Sequence, residues 1–435
     1  TDGFSLSLGM ERLMQYVWQH RLWPHSRLRT VDGLPVQIID PGRLNTDAGP
    51  DFFNAKIAID GRTWAGDVEI HVRASDWHRH RHDDDPAYDS VILHVVDRDD
   101  TAIHRRNGEL IPQMQMPCSP DFSRRYAMLV ESADRDLPCA ATISTMPSVY
   151  TADWLDALSF ERLYSKADRI AGILDRFGGD WDSTAYVTLA RSLGFGLNGD
   201  PFERLALSVP LMFIAKHCDS LFTIEALLFG QSGLLELARP DDYTAGLQNE
   251  YDFMCHKFGL RRPQSLGWKM SRMRPANFPH RRIATLAAVL HTAPRLMSRI
   301  LETDSIEKAT ELFGINLTGY WTNHYTFGMP SAATPPSLSR SSVVGLTINA
   351  VAPLKMAYGM AHDNSDLTDA AVALMQSLPP ERNAIVDLFR STGLKLTDAF
   401  NTQGVIQLRR EYCNARKCLY CRIGHRMLAA RTPRE

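Results

Sequence analysis

The chain has 435 residues, of which 44% are hydrophobic and 23% are charged, and its formal net charge is -2. This composition excludes a disordered or fibrous protein, and the length suits two or three domains because one hydrophobic core seldom exceeds about 300 residues. The balanced charge excludes a general attraction to nucleic acid or membranes, so any site for a polyanion must be a local patch.

The sequence favours a cytoplasmic, bacterial-type protein without a membrane partner. No run of about 18 apolar residues occurs, and the first residues lack the basic and apolar regions of a signal peptide. Seven cysteines, an odd number with three near the C-terminus, do not fit a disulfide framework. The oligomeric state is left open.

Residues 1–110 are predicted to alternate between helical and strand segments. Apolar residues at helical spacing predict a first helix around residues 11–18, and a short polar helix follows Ser75. Strand patterns occupy residues 34–39, 55–59, 66–73 and 91–96. The resulting order is α-β-β-β-α-β.

The remaining residues are predicted to be mainly helical, which makes the fold class α+β. Residues 111–150 contain five prolines and are expected to form a crossing segment. Residues 151–345 are expected to form a helical domain, and residues 346–435 a helical C-terminal region with a cysteine-rich tail.

Asp51, Glu69 and His71 form the strongest candidate site. Glu69 and His71 lie on the same side of one alternating strand, with Cα atoms roughly 6.6 Å apart. Asp51 directly precedes the neighbouring strand, so it can reach the same edge. Two carboxylates there would bind Mg²⁺ or Mn²⁺, and such an ion binds a scissile phosphate and lowers the pKa of the attacking water.

This element order, with Pro-Asp51 leading one strand and Glu69-x-His71 on the next, resembles the PD-(D/E)xK nuclease superfamily. The resemblance covers about the first 100 residues. It implies that Asp51 and Glu69 are metal ligands and that Glu11 is an auxiliary ligand. The superfamily has lysine where this chain has His71, so either His71 or Lys56 would position the attacking water. If neither does so, the site is degenerate and the domain only binds.

Longer stretches of the chain resemble an uncharacterised bacterial domain-of-unknown-function family (number 2851). The likeness is carried by residues 47–52, 66–71, 76–77 and 91–96. That family has no assigned activity, so the resemblance adds no chemistry.

A second unusual segment, residues 77–85, alternates histidine and arginine before three aspartates. Its cations could bind phosphate, or His80 and His82 with Asp83 could hold a transition metal, or the segment is a solvated surface turn. His94 lies within an apolar strand, where it is either a core histidine or a group that reaches the candidate site.

The cysteine-rich tail is a candidate metal site. Cys413, Cys418, Cys421 and His425 suit tetrahedral Zn²⁺, which would fasten the tail to the rest of the protein. An iron–sulfur cluster is the alternative, and its fourth ligand would come from Cys118, Cys139, Cys218 or Cys255. Buried thiols without metal are the remaining interpretation.

Residues 268–282 combine cations with Trp268 and Phe278, a pattern typical of nucleic-acid binding or of a surface loop held down by aromatic side chains. The five candidate nucleic-acid-binding residues are Lys269, Arg272, Arg274, Arg281 and Arg282.

We expect a divalent-metal-dependent nuclease or phosphodiesterase acting on nucleic acid. No P-loop, dinucleotide-binding glycine motif or nucleophile elbow occurs in the sequence, which disfavours kinases, common dehydrogenases and α/β-hydrolases. The alternative is a non-catalytic nucleic-acid- or protein-binding scaffold that keeps a nuclease-like fold. A zinc-dependent hydrolase built on His80 and His82 is the third hypothesis.

Overall fold

The computed structural model describes residues 2–22, 28–116, 120–131, 137–236, 240–261, 265–271 and 273–429. The chain divides into two compact units, each described by itself below. The first unit comprises Thr1–Thr151 and Arg409–Glu435, and the second comprises Ala152–Leu408.

The N-terminal part of the first unit combines four helices with six strands. The elements are α1 (Asp2–Gln19), β1 (Val36–Asp40), β2 (Arg43–Leu44), β3 (Phe52–Ile59), β4 (Arg62–Arg73), α2 (Asp76–Arg79), β5 (Val91–Arg98), β6 (Gln113–Gln115), α3 (Pro120–Glu131) and α4 (Ala140–Thr145).

These strands form one mixed sheet in the order β1-β3-β4-β5-β6, with β2 paired to β3. The β1–β3 and β3–β4 pairs are antiparallel, whereas β4–β5 and β5–β6 are parallel. The parallel β4–β5 pair requires a crossover connection, residues 74–90, which contains α2. In this pair Glu69 on β4 stands opposite His94 on β5.

Both faces of β4 are buried near its C-terminal end. Val68 and Ile70 belong to an apolar core that includes Leu13 and Trp18 of α1. Trp77 and Tyr88, from the crossover connection, belong to a second core. Because side chains alternate along a strand, Glu69 and His71 lie on the face opposite Val68 and Ile70 and are themselves buried.

The second unit is helical apart from a two-stranded ribbon, in the part of it that the structure describes. Its elements are α5 (Ser148–Arg176, which begins before the unit boundary), α6 (Trp181–Leu193), α7 (Gly199–Ser208), α8 (Leu211–Ala215), α9 (Leu221–Ser232), α10 (Asp242–Phe258), α11 (Pro279–Thr292), α12 (Leu296–Glu302), α13 (Ile306–Phe313), β7 (His324–Thr326), β8 (Met329–Pro330), α14 (Arg340–Leu346), α15 (Ala352–Ala361), α16 (Ser365–Ser377), α17 (Ala384–Arg390) and α18 (Ala399–Gln407). The chain then returns to the first unit, where α19 (Arg422–Ala429) is the last described element.

One continuous helical stretch, Arg340–Ala361, is long and apolar enough to cross a membrane by length and composition alone. It consists of α14, a π-helical turn (Thr347–Val351) and α15. Of its most apolar window, 78% is buried inside the protein, which is typical of a core helix.

A mixed sheet near the N-terminus followed by helices confirms the coarse fold predicted from the sequence. Local alternation and helical spacing were sufficient for this because elements such as β1 and β3 bury one face and expose the other, which leaves a periodic pattern in the sequence. The more specific nuclease-like core remains a proposal.

Candidate metal centre

Two carboxylates meet where β3 begins beside β4. The backbone N–H of Asp51 donates to Glu69 Oε2 over 3.0 Å, and Asp51 Oδ2 accepts from the backbone N–H of Ile70 over 3.0 Å. Gln15 on α1 donates from Nε2 to Asp51 Oδ1 over 2.9 Å. Glu11 lies one helical turn before Gln15, so the two share a face of α1. The hairpin and the helix together bring three carboxylates to one place.

Burial makes the ionised form of these carboxylates costly. It raises the pKa of Glu11 to about 7 and the pKa values of Asp51 and Glu69 to about 8. The carboxylates also act on one another, since Glu69 adds to the rise at Asp51 and Glu11 adds to the rise at Glu69. Such a group favours a bound cation or retained protons.

A row of three imidazoles continues from the carboxylates. His71 Nδ1 lies 2.9 Å from His94 Nε2, and His71 Nε2 lies 3.0 Å from His80 Nδ1. His71 and His94 stand on the neighbouring strands β4 and β5, whereas His80 follows α2. Each contact can be a hydrogen bond between neutral rings that share one proton.

His82 completes the group from the crossover connection. Its ring stacks on Tyr88 with the ring centroids 3.8 Å apart, and it meets the Trp77 ring edge-on at 5.3 Å. His82 Nε2 lies 3.4 Å from Glu69 Oε1, and His71 Nε2 lies at the same distance from that oxygen. His82 Nε2 is buried and has no hydrogen-bond partner, a condition that a bound ligand would relieve.

All four imidazoles are held in the neutral form. Burial lowers the pKa of His71, His80 and His82, and it lowers the pKa of His94 to about 3. A neutral imidazole keeps a lone pair on one ring nitrogen, which is the form that binds metal ions.

The histidine group His71, His80 and His82 could hold a metal ion. One ring nitrogen of each lies within 4.8 Å of the others. In a tetrahedral site with bonds of about 2.1 Å, neighbouring ligand atoms are about 3.4 Å apart. Glu69 Oε1 lies at that distance from two of these nitrogens, so the residues present fit a small divalent ion. We call Glu11, Asp51, Glu69, His71, His80 and His82 the carboxylate–histidine centre.

Two cationic residues differ in their relation to this centre. Arg79 is half-exposed and pairs with Asp76 over 3.0 Å, and its charge lowers the pKa values of Glu11 and His71. Lys56 is exposed on β3 opposite Ala65, which precedes Glu69 by four residues, or about 13 Å along β4. The structure therefore brings Arg79 to the centre and does not bring Lys56 there.

The three tail cysteines line one pocket, and His425 is not among the residues that line it. Cys413, Cys418 and Cys421 line one pocket of the first unit, and Cys139 lines it with them. His425 is turned to α1, where its Nδ1 is hydrogen-bonded to the Tyr16 hydroxyl.

Three other cysteines were candidates for the fourth ligand of a cluster. Cys218 and Cys255 belong to the second unit, and Cys118 lies outside the described residues.

The predicted basic segment is divided between surface and core. Lys269 and Arg274 are exposed, and Arg272 lies outside the described residues. Arg281 and Arg282 are only 4% and 3% exposed, so the structure buries these two of the five candidate nucleic-acid-binding residues. Their guanidinium groups donate hydrogen bonds within the helical unit, Arg281 to the carbonyl oxygen of Trp321 and Arg282 to the Ser342 hydroxyl.

Sequence reasoning missed the contribution of Gln15 and undervalued His94. Gln15 carries no signal of its own, although its spacing of four residues from Glu11 places both on one helical face. His94 was identifiable as a polar residue inside an apolar strand. Its arrival at the centre depends on β4 and β5 being neighbours, which the local pattern leaves open.

The chain belongs to a family described only as "Protein of unknown function (DUF2851)", whose family model matches residues 11–384. No curated protein and no solved structure matches it.

Proposed function

We propose that this chain is a divalent-metal-dependent phosphodiesterase that acts on nucleic acid, with the carboxylate–histidine centre as its active site. The observation that carries the proposal is the position of Glu69 Oε1, 3.4 Å from Nε2 of both His71 and His82. The resemblance of residues 1–100 to the PD-(D/E)xK superfamily supports the same chemistry.

The mixed ligand set favours Mn²⁺, Fe²⁺ or Zn²⁺ over Mg²⁺, because imidazole suits transition metals whereas Mg²⁺ prefers oxygen. Glu69, His71, His80 and His82 would hold the ion, and Asp51 and Glu11 would add carboxylate oxygen and negative charge. When bound, the ion supplies a Lewis acid for the phosphate and lowers the pKa of a water ligand.

The chain's own groups orient this centre and recognise the substrate. The hydrogen bond between His94 and His71 fixes the orientation of the His71 ring, and the Asp51 backbone N–H holds Glu69. Arg79 is the nearby cation that can bind a phosphate oxygen, and Arg81 is exposed two residues later.

The test measures Mn²⁺ and Zn²⁺ binding and the cleavage of end-labelled single- and double-stranded DNA and RNA. Glu69→Gln and His82→Asn are expected to weaken metal binding at least about tenfold and to abolish cleavage. Glu109→Gln and His104→Asn, at exposed positions of the same unit, are the matched controls.

Each outcome has a separate meaning. Loss of cleavage and of metal binding in the two centre variants alone supports the proposal. Metal binding by the wild type without cleavage of any substrate would favour the non-catalytic binding protein, and absence of metal binding would refute the centre.

A further inference from the structure

A second group of chemically active side chains lies elsewhere in the first unit. Four cysteines, Cys139, Cys413, Cys418 and Cys421, line one pocket, part of which is open to solvent. We call it the four-cysteine pocket. Leu129, Leu137 and Pro138 contribute apolar lining.

The backbone of the tail is shaped to bring three thiols to this pocket. Arg416 has a φ of 54°, which turns the chain back between Cys413 and Cys418. A 3₁₀ turn, Cys418–Tyr420, then leads to Cys421. Gly424 permits α19 to pack on this turn, because a Cβ there would lie 2.2 Å from the carbonyl oxygen of Cys418.

The fourth cysteine comes from a distant part of the sequence. Cys139 directly precedes α4, and its thiol is close enough to Cys418 and Cys421 for electrostatic interaction. His425 is engaged by Tyr16, as described above. The pocket therefore offers four sulfur ligands.

Arg409 supplies the positive charge beside these thiols. It lines the pocket, its charge acts on Cys413, and its Nη1 is buried without a hydrogen-bond partner. A partly buried guanidinium group beside these four thiols can donate hydrogen bonds to the sulfur atoms of a negatively charged thiolate cluster.

We propose that Cys139, Cys413, Cys418 and Cys421 bind an iron–sulfur cluster. The tail has the spacing Cys-x4-Cys-x2-Cys, which with one remote cysteine is a known arrangement for such clusters. A single Zn²⁺ with bonds of about 2.3 Å requires thiolates about 3.8 Å apart. Among the described residues, the group with three candidate ligand atoms within 4.8 Å of one another consists of histidines, so no three of these sulfur atoms are that close together. A cluster, whose sulfur ligands are spaced more widely than those of a single Zn²⁺, therefore fits this pocket better.

The cluster would join Cys139, at the start of α4, to the tail within the first unit. Its role is to fix the tail, and it is independent of the proposed phosphodiesterase activity.

The experiment uses the full chain, purified without oxygen, and measures iron, acid-labile sulfide, zinc and visible absorbance. Iron and sulfide are expected in equal amounts, with an electron paramagnetic resonance signal in either the reduced or the oxidised state. Cys139→Ser is expected to retain only about one tenth of the iron that the wild type binds. Cys218→Ser, Cys255→Ser and His425→Ala are expected to keep it.

Some outcomes would overturn the proposal. Stoichiometric zinc without sulfide would do so, as would loss of metal in His425→Ala with retention in Cys139→Ser. If Cys139→Ser does not fold, anaerobic reconstitution of the wild type with Fe²⁺ and sulfide decides, and failure to form a cluster counts against the proposal. Glu69→Gln is expected to keep the cluster, which separates this test from that of the phosphodiesterase.

Discussion

Two buried charged residues of the helical unit, Glu225 and Arg281, have surroundings that differ from those of the buried carboxylates of the sheet unit. In the helical unit, Glu225 accepts hydrogen bonds from the Tyr243 hydroxyl over 2.6 Å and from Trp321 Nε1 over 2.8 Å. In the same unit, Arg281 donates to the backbone carbonyl oxygens of Trp321 and Pro335. These buried groups face partners of complementary character, so they act as part of the framework.

In the sheet unit, buried polar groups face groups of the same kind. The carboxylates of Asp51, Glu69 and Glu11 raise one another's pKa values, and His71 is lined up with two other imidazoles. Such an arrangement is costly unless a cation is bound or the carboxyl groups keep their protons. Burial alone therefore does not distinguish a functional centre from a structural one, whereas the groups that a buried side chain faces do.

The largest expected effect concerns the framework arginine. Arg281→Met should lower the free energy of unfolding by about 2–4 kcal/mol, because the carbonyl oxygens of Trp321 and Pro335 would each lose a hydrogen bond from a charged donor, and Trp321 would keep only the bond from the Thr334 hydroxyl. Urea denaturation measures this loss. Arg274→Met, at an exposed position, is the control and should cost less than about 0.5 kcal/mol. Equal losses of stability in the two variants would show that Arg281 does not stabilise the fold through these hydrogen bonds.

The second prediction concerns the pH dependence of metal binding. Asp51 and Glu69 have pKa values of about 8, so below that pH a metal ion must displace their protons. Mn²⁺ affinity should therefore rise between about pH 6 and 8, roughly tenfold per pH unit for one displaced proton and roughly a hundredfold for two. Titration calorimetry at several pH values checks this, and Glu69→Gln should flatten the slope. A pH-independent affinity would contradict the proposed ligands.

A smaller effect is expected on the stability of the metal-free protein. The folded-state pKa of Glu69 lies above its unfolded value, so its stabilising contribution is complete below about pH 4 and is lost as pH rises through about 8. Glu69→Gln removes this loss and should raise the free energy of unfolding by about 1–2 kcal/mol at about pH 8.5.

Thermal unfolding in chelator across this pH range measures the difference between Glu69→Gln and wild type. Saturating Mn²⁺ should make the wild type more stable than Glu69→Gln, because the wild type alone keeps the complete ligand set. A variant that is less stable than wild type in chelator at about pH 8.5 would argue against a repulsive centre.

The smallest effect is expected at Lys56. This residue is exposed and about 13 Å along the sheet from Glu69, so Lys56→Ala should change cleavage by less than about twofold. Rate measurements at saturating Mn²⁺ test this, with Arg79→Ala as the variant expected to weaken substrate binding. Loss of cleavage in Lys56→Ala would restore Lys56 as the residue that positions water.

Part of the carboxylate–histidine centre could be predicted because it is formed by local structure. Glu69 and His71 are two residues apart on one strand, and Asp51 stands at the start of the antiparallel partner. His80 and His82 could not be assigned in this way. From sequence alone, a histidine-rich turn is as compatible with a solvated surface as with a metal site. Only the crossover connection from β4 to β5 places this turn over Glu69.

The sequence by itself determined the periodic elements: the first helix, the strand that carries Glu69, the apolar strand around His94 and the helical remainder. Each follows from a repeat of apolar residues within a few turns or strand steps, which local sterics convert into structure. Tertiary structure alone decided which polar groups meet, since it brings His82 beside Glu69 and places Cys139 in the same pocket as Cys421. It also decided that Arg281 is buried, because the acceptors that make such burial possible lie about 40 residues or more away along the chain.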